Sequence, residues 1–184
     1  MIPITLWGWS NTSNTMAIRR QLMTLQTGNK YHMPVIYELP KQTIALISVT
    51  MQQQIFEAKG KPNIHVIFLH PSFRTSDLKS ISDSFSSIIR AAAFHTKTFV
   101  IFCDATGCYP DNGRTVTTPG QVNSTLRHIT TQYPLNSLYV DLQQIICTND
   151  WTRHFNLRTA GQVKLGQAIV RAVQGTTGEV FQYG

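Results

Sequence analysis

The chain has 184 residues, 42% hydrophobic and 14% charged, which suits one packed domain over residues 1–184, burying about 70% of its unfolded surface without disulfides or metal, and excludes a disordered chain. Its 16 Lys and Arg against 9 Asp and Glu give a net charge of +7 and a pI near 9.6, a bias toward an anionic partner such as nucleic acid or a lipid surface. The basic residues are scattered, however, without a dense run or a stacking motif for single strands, and no apolar run reaches the roughly 18 residues of a membrane span.

Short apolar runs alternate with stretches of helical period along the chain, the pattern of βαβ units around a parallel sheet. The first strand is expected from Ile2 to Trp7 and a helix from Asn14 to Gln26. A second strand follows from Pro34 to Glu38, then a helix from Thr43 to Phe56. The third strand spans Ile64 to Leu69, and the helix after it runs from Ser76 to Phe94. Leu78, Ile81, Phe85, Ile88, Ile89 and Ala92 fall three or four apart on that helix, so one face covers a sheet. The fourth strand covers Thr98 to Cys103, with a long loop from Asp104 to Thr118 before a helix from Pro119 to Gln132. Proline is tolerated in a first helical turn. A fifth strand from Ser137 to Val140 and a last helix from Thr159 to Gln174 complete the series, with Gly175 to Gly184 read as a loose tail.

The expected architecture is therefore an α/β three-layer sandwich with a five-stranded, mainly parallel sheet. In open parallel sheets, ligands bind beyond the carboxyl ends of the strands. That draws attention to Gly8-Trp9-Ser10-Asn11-Thr12, just after the first strand, where Ser10 precedes a helix start whose amides favour a developing negative charge. Near the other end lies Asn149-Asp150-Trp151-Thr152-Arg153-His154. A carboxylate beside an imidazole can fix its tautomer and stabilise its protonated form, as a base serving a serine requires.

Taken singly, these residues have plainer roles. Ser10 is a good cap or turn residue, Asp150 a good turn residue ahead of a helix, and His154 an ordinary surface or satisfied core histidine. The cysteines Cys103, Cys108 and Cys147 are odd in number and lack CxxC spacing, so a disulfide framework or structural zinc is not expected. Cys103 and Cys147 read as core thiols in a reducing compartment. His65 and His70, flanking the end of the third strand, point differently and suggest no metal site. Walker and dinucleotide signatures are absent, so no cofactor is expected. An intracellular, cytoplasmic protein is the expectation.

The Gly8-Trp9-Ser10-Asn11 segment after the first strand, the Asp150 to His154 segment followed by Asn156, Gly161 and a final helix, and the alternation between them resemble the SGNH (GDSL-type) hydrolases over nearly the whole chain. The resemblance implies a flavodoxin-like fold and a serine esterase acting on acetyl or short acyl esters, with Ser10 as nucleophile, His154 as base and then acid, and Asp150 as orienting carboxylate.

The chain departs from the family pattern in several places. Trp9 replaces the aspartate of the first block. Leu39-Pro40-Lys41-Gln42-Thr43 holds no glycine where the second block provides one. His70-Pro71-Ser72-Phe73 replaces the block that provides an asparagine. Three residues, Trp151, Thr152 and Arg153, separate Asp150 from His154 where the family has two. Asn11, Gln42 and Ser72 are the substitute oxyanion donors, and losing one such donor costs about 100-fold to 1000-fold in rate. The competing reading keeps the fold as a catalytically impaired module binding nucleic acid, glycan or protein. A composition rich in Thr, Gln and Asn suits a viral or mobile-element origin.

Overall fold

In the computed structural model, the residues described are 2–8, 16, 19–21, 35–38, 44–69, 78–95, 97–104, 119–142, 145–152 and 157–179. Five strands, β1 (Ile4–Gly8), β2 (Val35–Glu38), β3 (Asn63–Leu69), β4 (Thr98–Asp104) and β5 (Ser137–Asp141), form one sheet in the order β2-β1-β3-β4-β5. Every ladder among them is parallel, with Leu6 opposite Ile36, Trp7 opposite Ile67, Ile67 opposite Phe102 and Phe102 opposite Tyr139. The sheet is flanked by the helices α1 (Ile44–Glu57), α2 (Leu78–Phe94), α3 (Pro119–Gln132) and α4 (Thr159–Glu179). Of the helix expected before β2, residues 16 and 19–21 are described and are helical.

The period-two alternation of the strands sends their side chains to two separate cores. Ile4, Leu6, Ile64, Val66, Phe68, Phe99 and Ile101 face α4, which answers with Leu165, Ala168, Ile169, Ala172 and Val173. Trp7, Ile67, Val100 and Phe102 face the other layer, with Ile47, Met51 and Ile55 of α1, the α2 stripe Ile81, Phe85, Ile88, Ile89 and Ala92, and Leu126 and Ile129 of α3. Phe85 and Phe102 meet edge to face, with ring centroids 5.0 Å apart, a geometry that aromatic quadrupoles favour. The three-layer expectation is borne out, and so is the α2 stripe from Ile81 to Ala92; the Leu78 side chain lies outside the described residues.

Two expectations need correction. Helix α4 runs to Glu179, so part of the tail read as loose is helical. Cys103 is buried as expected, but Cys147 is exposed. The chain turns back at Leu142, whose carbonyl accepts from both Ile145 N and Ile146 N. Ile146 is thereby buried and Cys147 is carried outward.

One polar chain crosses the α1–α3 core. Trp7 Nε1 donates to His65 Nδ1 at 3.1 Å, and His65 Nε2 lies 3.0 Å from Asn63 Oδ1. Because indole nitrogen only donates, Nδ1 must accept, so the His65 proton sits on Nε2 and goes to Asn63. Asn63 Nδ2 then donates to Lys61 O and to Thr98 Oγ1, each at 2.8 Å. Burial lowers the His65 pKa from 6.5 to about 4, so this imidazole is neutral at neutral pH.

Candidate active site

The strand order places the topological switch between β1 and β3, and the adjoining carboxyl ends are Gly8 and Leu69. Ser10, Asn11, Gln42, Ser72 and His154 lie outside the described residues. Asp150 is described, and its surroundings can be built from the chain upward. After β5, residues Thr148–Asp150 form a single 3-10 turn, closed by Asp150 N donating to Cys147 O at 2.9 Å. The side chain closes the same turn from the other direction, Cys147 N donating to Asp150 Oδ2 at 2.8 Å.

Lys164 of α4 reaches back to the same oxygen, with Nζ 2.9 Å from Oδ2. Burial pushes the Asp150 carboxyl up, but the hydrogen bonds from Lys164 and the Cys147 amide, with the lysine charge, outweigh it and leave the pKa below the usual aspartate value. The group is therefore a carboxylate at neutral pH. Its contribution to stability is present above the unfolded pKa and is lost as pH falls through the lower folded one. Among the described residues, neither of these bonds uses Oδ1.

The segment after Asp150 is tied at its base. Trp151 and Leu157 form an isolated antiparallel bridge and both side chains are buried in the α4-side core. Arg158 N donates to Asp150 O at 2.7 Å, and Gln162 N to Arg158 O at 2.9 Å as α4 starts. Gln162 Nε2 also donates to Leu157 O at 3.1 Å. The bridge therefore pairs the two residues that bracket 152–156, the stretch of sequence that contains His154.

Gly161 packs against this turn. A Cβ there would stand 2.9 Å from Asp150 Cβ, 3.1 Å from Leu157 Cδ2 and 3.2 Å from Asp150 O. At Gly175 of the same helix, nothing lies within 4 Å of that position. Gly161→Ala is therefore expected to lower the melting temperature, because overpacking of about 1–3 kcal/mol exceeds the gain in helix propensity of about 1 kcal/mol. Gly175→Ala should raise it. Thermal unfolding of the two variants checks the opposite signs.

The sequence pattern does not single out Lys164. The available signal is its position three residues after Gly161, on the same helix face as the glycine that abuts Asp150.

The structure of TesA superposes with a TM-score of 0.67 at 14% identity, over 95% of this chain and 99% of that one. The chain has the SGNH-hydrolase fold. A member of the lipolytic G-D-S-L family from Veillonella parvula gives 0.65 at 13% identity, over 95% and 99% of the two chains. The psychrotrophic esterase EstA from Pseudoalteromonas sp., in a form inhibited by monoethylphosphonate, gives 0.65 at 8% identity, over 97% and 100%. No family model and no curated protein matches the sequence. Among the described residues, no helix is long and apolar enough to cross a membrane.

Proposed function

We propose that this chain is a serine hydrolase of carboxylic esters, taking acetyl or other short acyl groups. The observation that carries the reading is the ionised Asp150, held at the base of the bridged segment 151–157 in a fold shared with structures described as an esterase and a lipolytic protein. In this reading, Ser10 Oγ attacks the ester carbonyl carbon while His154 removes its proton. Asn11, Gln42 and Ser72 supply hydrogen bonds to the oxyanion. His154 then returns the proton to the departing alkoxide, and water hydrolyses the acyl-serine by the same steps in reverse roles. Asp150 holds the imidazole and offsets its charge.

The test is covalent labelling by a fluorophosphonate together with turnover of a short-chain aryl ester. Both should occur in the wild type and vanish in Ser10→Ala. Unchanged turnover in that variant would sink the assignment.

A second reading, a binding module with the same fold, is favoured by Lys164. The lysine neutralises the carboxylate that His154 would need. No labelling and no turnover by a folded wild type would select it.

A further inference from the structure

Three lysines, Lys59, Lys61 and Lys97, lie at the amino edge of the sheet, opposite the Asp150 turn. The αβ turns that lead into β3, β4 and β5 all lie there. Phe56, at the end of α1, is 70% exposed, Phe94, at the end of α2, is 83% exposed, and Leu135, in the turn after α3, is 71% exposed. These are protruding apolar side chains, not the walls of a groove.

Direct contacts hold the turns together. His95 lies between the phenylalanines, its ring centroid 6.1 Å from Phe56 and 5.2 Å from Phe94. Asn63 N donates to Lys97 O, and Asn63 Nδ2 to Lys61 O, so those two turns share one anchor. Asn136, next to Leu135, donates through Nδ2 to Ala92 O and Thr98 O.

The charge around these knobs is mainly positive. Lys59 and Lys61 are exposed in the turn after α1, and Lys97 is half-buried in the turn after α2. Among the described residues of these turns the carboxylate is Glu57, which accepts from Gln53 Nε2 at 3.2 Å.

We infer that this edge is a docking surface for an anionic lipid bilayer. Protruding apolar side chains enter the headgroup and acyl boundary, while lysines beside them are drawn to anionic lipid. A nucleic acid would gain from stacking on the phenylalanines, but nothing from Leu135. A bilayer gains from all of them. Docked this way, the protein keeps the carboxyl edge of its sheet turned toward water.

Co-sedimentation with vesicles tests the surface, using phosphatidylcholine alone and phosphatidylcholine mixed with phosphatidylglycerol. The full chain should partition onto the mixed vesicles and at least about tenfold less onto the neutral ones. Phe56→Ser with Phe94→Ser should weaken partition by roughly tenfold or more. Lys59→Gln with Lys61→Gln should weaken it by about 25-fold, near fivefold for each lysine. Circular dichroism establishes that the variants fold, and these exposed positions leave both cores intact.

Failure to partition onto the mixed vesicles, or equal partition by the phenylalanine variant, overturns the inference. So does binding to a homopolymeric RNA without vesicle binding, which assigns the edge to nucleic acid. Self-association abolished in the phenylalanine variant, again without vesicle binding, assigns it to a second copy.

Discussion

Ser10→Ala and His154→Ala should each reduce turnover of an aryl acetate by roughly 10⁴-fold or more, and the double variant should lose little beyond either one. In the proposed mechanism, nucleophile and base act as a unit. Without the imidazole the hydroxyl stays protonated and weak, and without the hydroxyl the imidazole has nothing to activate. Losses that multiply in the double variant would mean that the residues act independently, and the proposed mechanism would fail. Asp150→Ala should cost less than either, since in the proposed mechanism Asp150 orients the imidazole and is not a reacting atom. That variant also frees the Cys147 amide and Lys164 from their shared acceptor, so its activity must be compared at a temperature where the protein remains folded.

The second large effect is on stability and originates in the core. His65 has a folded-state pKa of about 4 against 6.5 when unfolded. As pH falls, the unfolded chain takes up this proton first. The full stability is therefore present above about pH 6.5 and declines until pH reaches about 4, by about 3 kcal/mol at roughly 1.4 kcal/mol for each pH unit. Protonation would also place an N–H on Nδ1, facing the Trp7 indole N–H. In His65→Gln, the new side chain would have an oxygen to accept from Trp7 and an amide to donate to Asn63, yet no proton to gain. Denaturant unfolding of this variant at pH 7 and pH 4 should thus show a decline smaller than the wild type's by about that amount. Equal declines in both proteins would show that His65 does not carry the effect.

Much of the architecture is legible in the sequence, because burial on both faces of a parallel sheet demands apolar strands and one-sided helices. The α2 stripe from Ile81 to Ala92 is the plainest instance. The polar chain is less legible. Asn63 and His65 stand two apart in an apolar strand and so share a face, but that pattern does not name Trp7 and Thr98, which come from neighbouring strands. For the Asp150 turn, sequence locates the carboxylate and not its lysine, because that ion pair depends on where α4 begins relative to the 3-10 turn. Cys147 escapes the pattern for a similar reason. An apolar run that enters a chain reversal does not keep all its residues pointing inward.

The bridge between Trp151 and Leu157 limits how this segment can be re-engineered. A designer wishing to shorten the interval between Asp150 and His154 cannot delete Trp151, which anchors the bridge and is buried in the α4-side core. The deletion has to come from Thr152 or Arg153, between two positions, Trp151 and Leu157, that stay pinned. Transplanting a shorter segment from another hydrolase therefore means replacing residues 151–157 as one cassette.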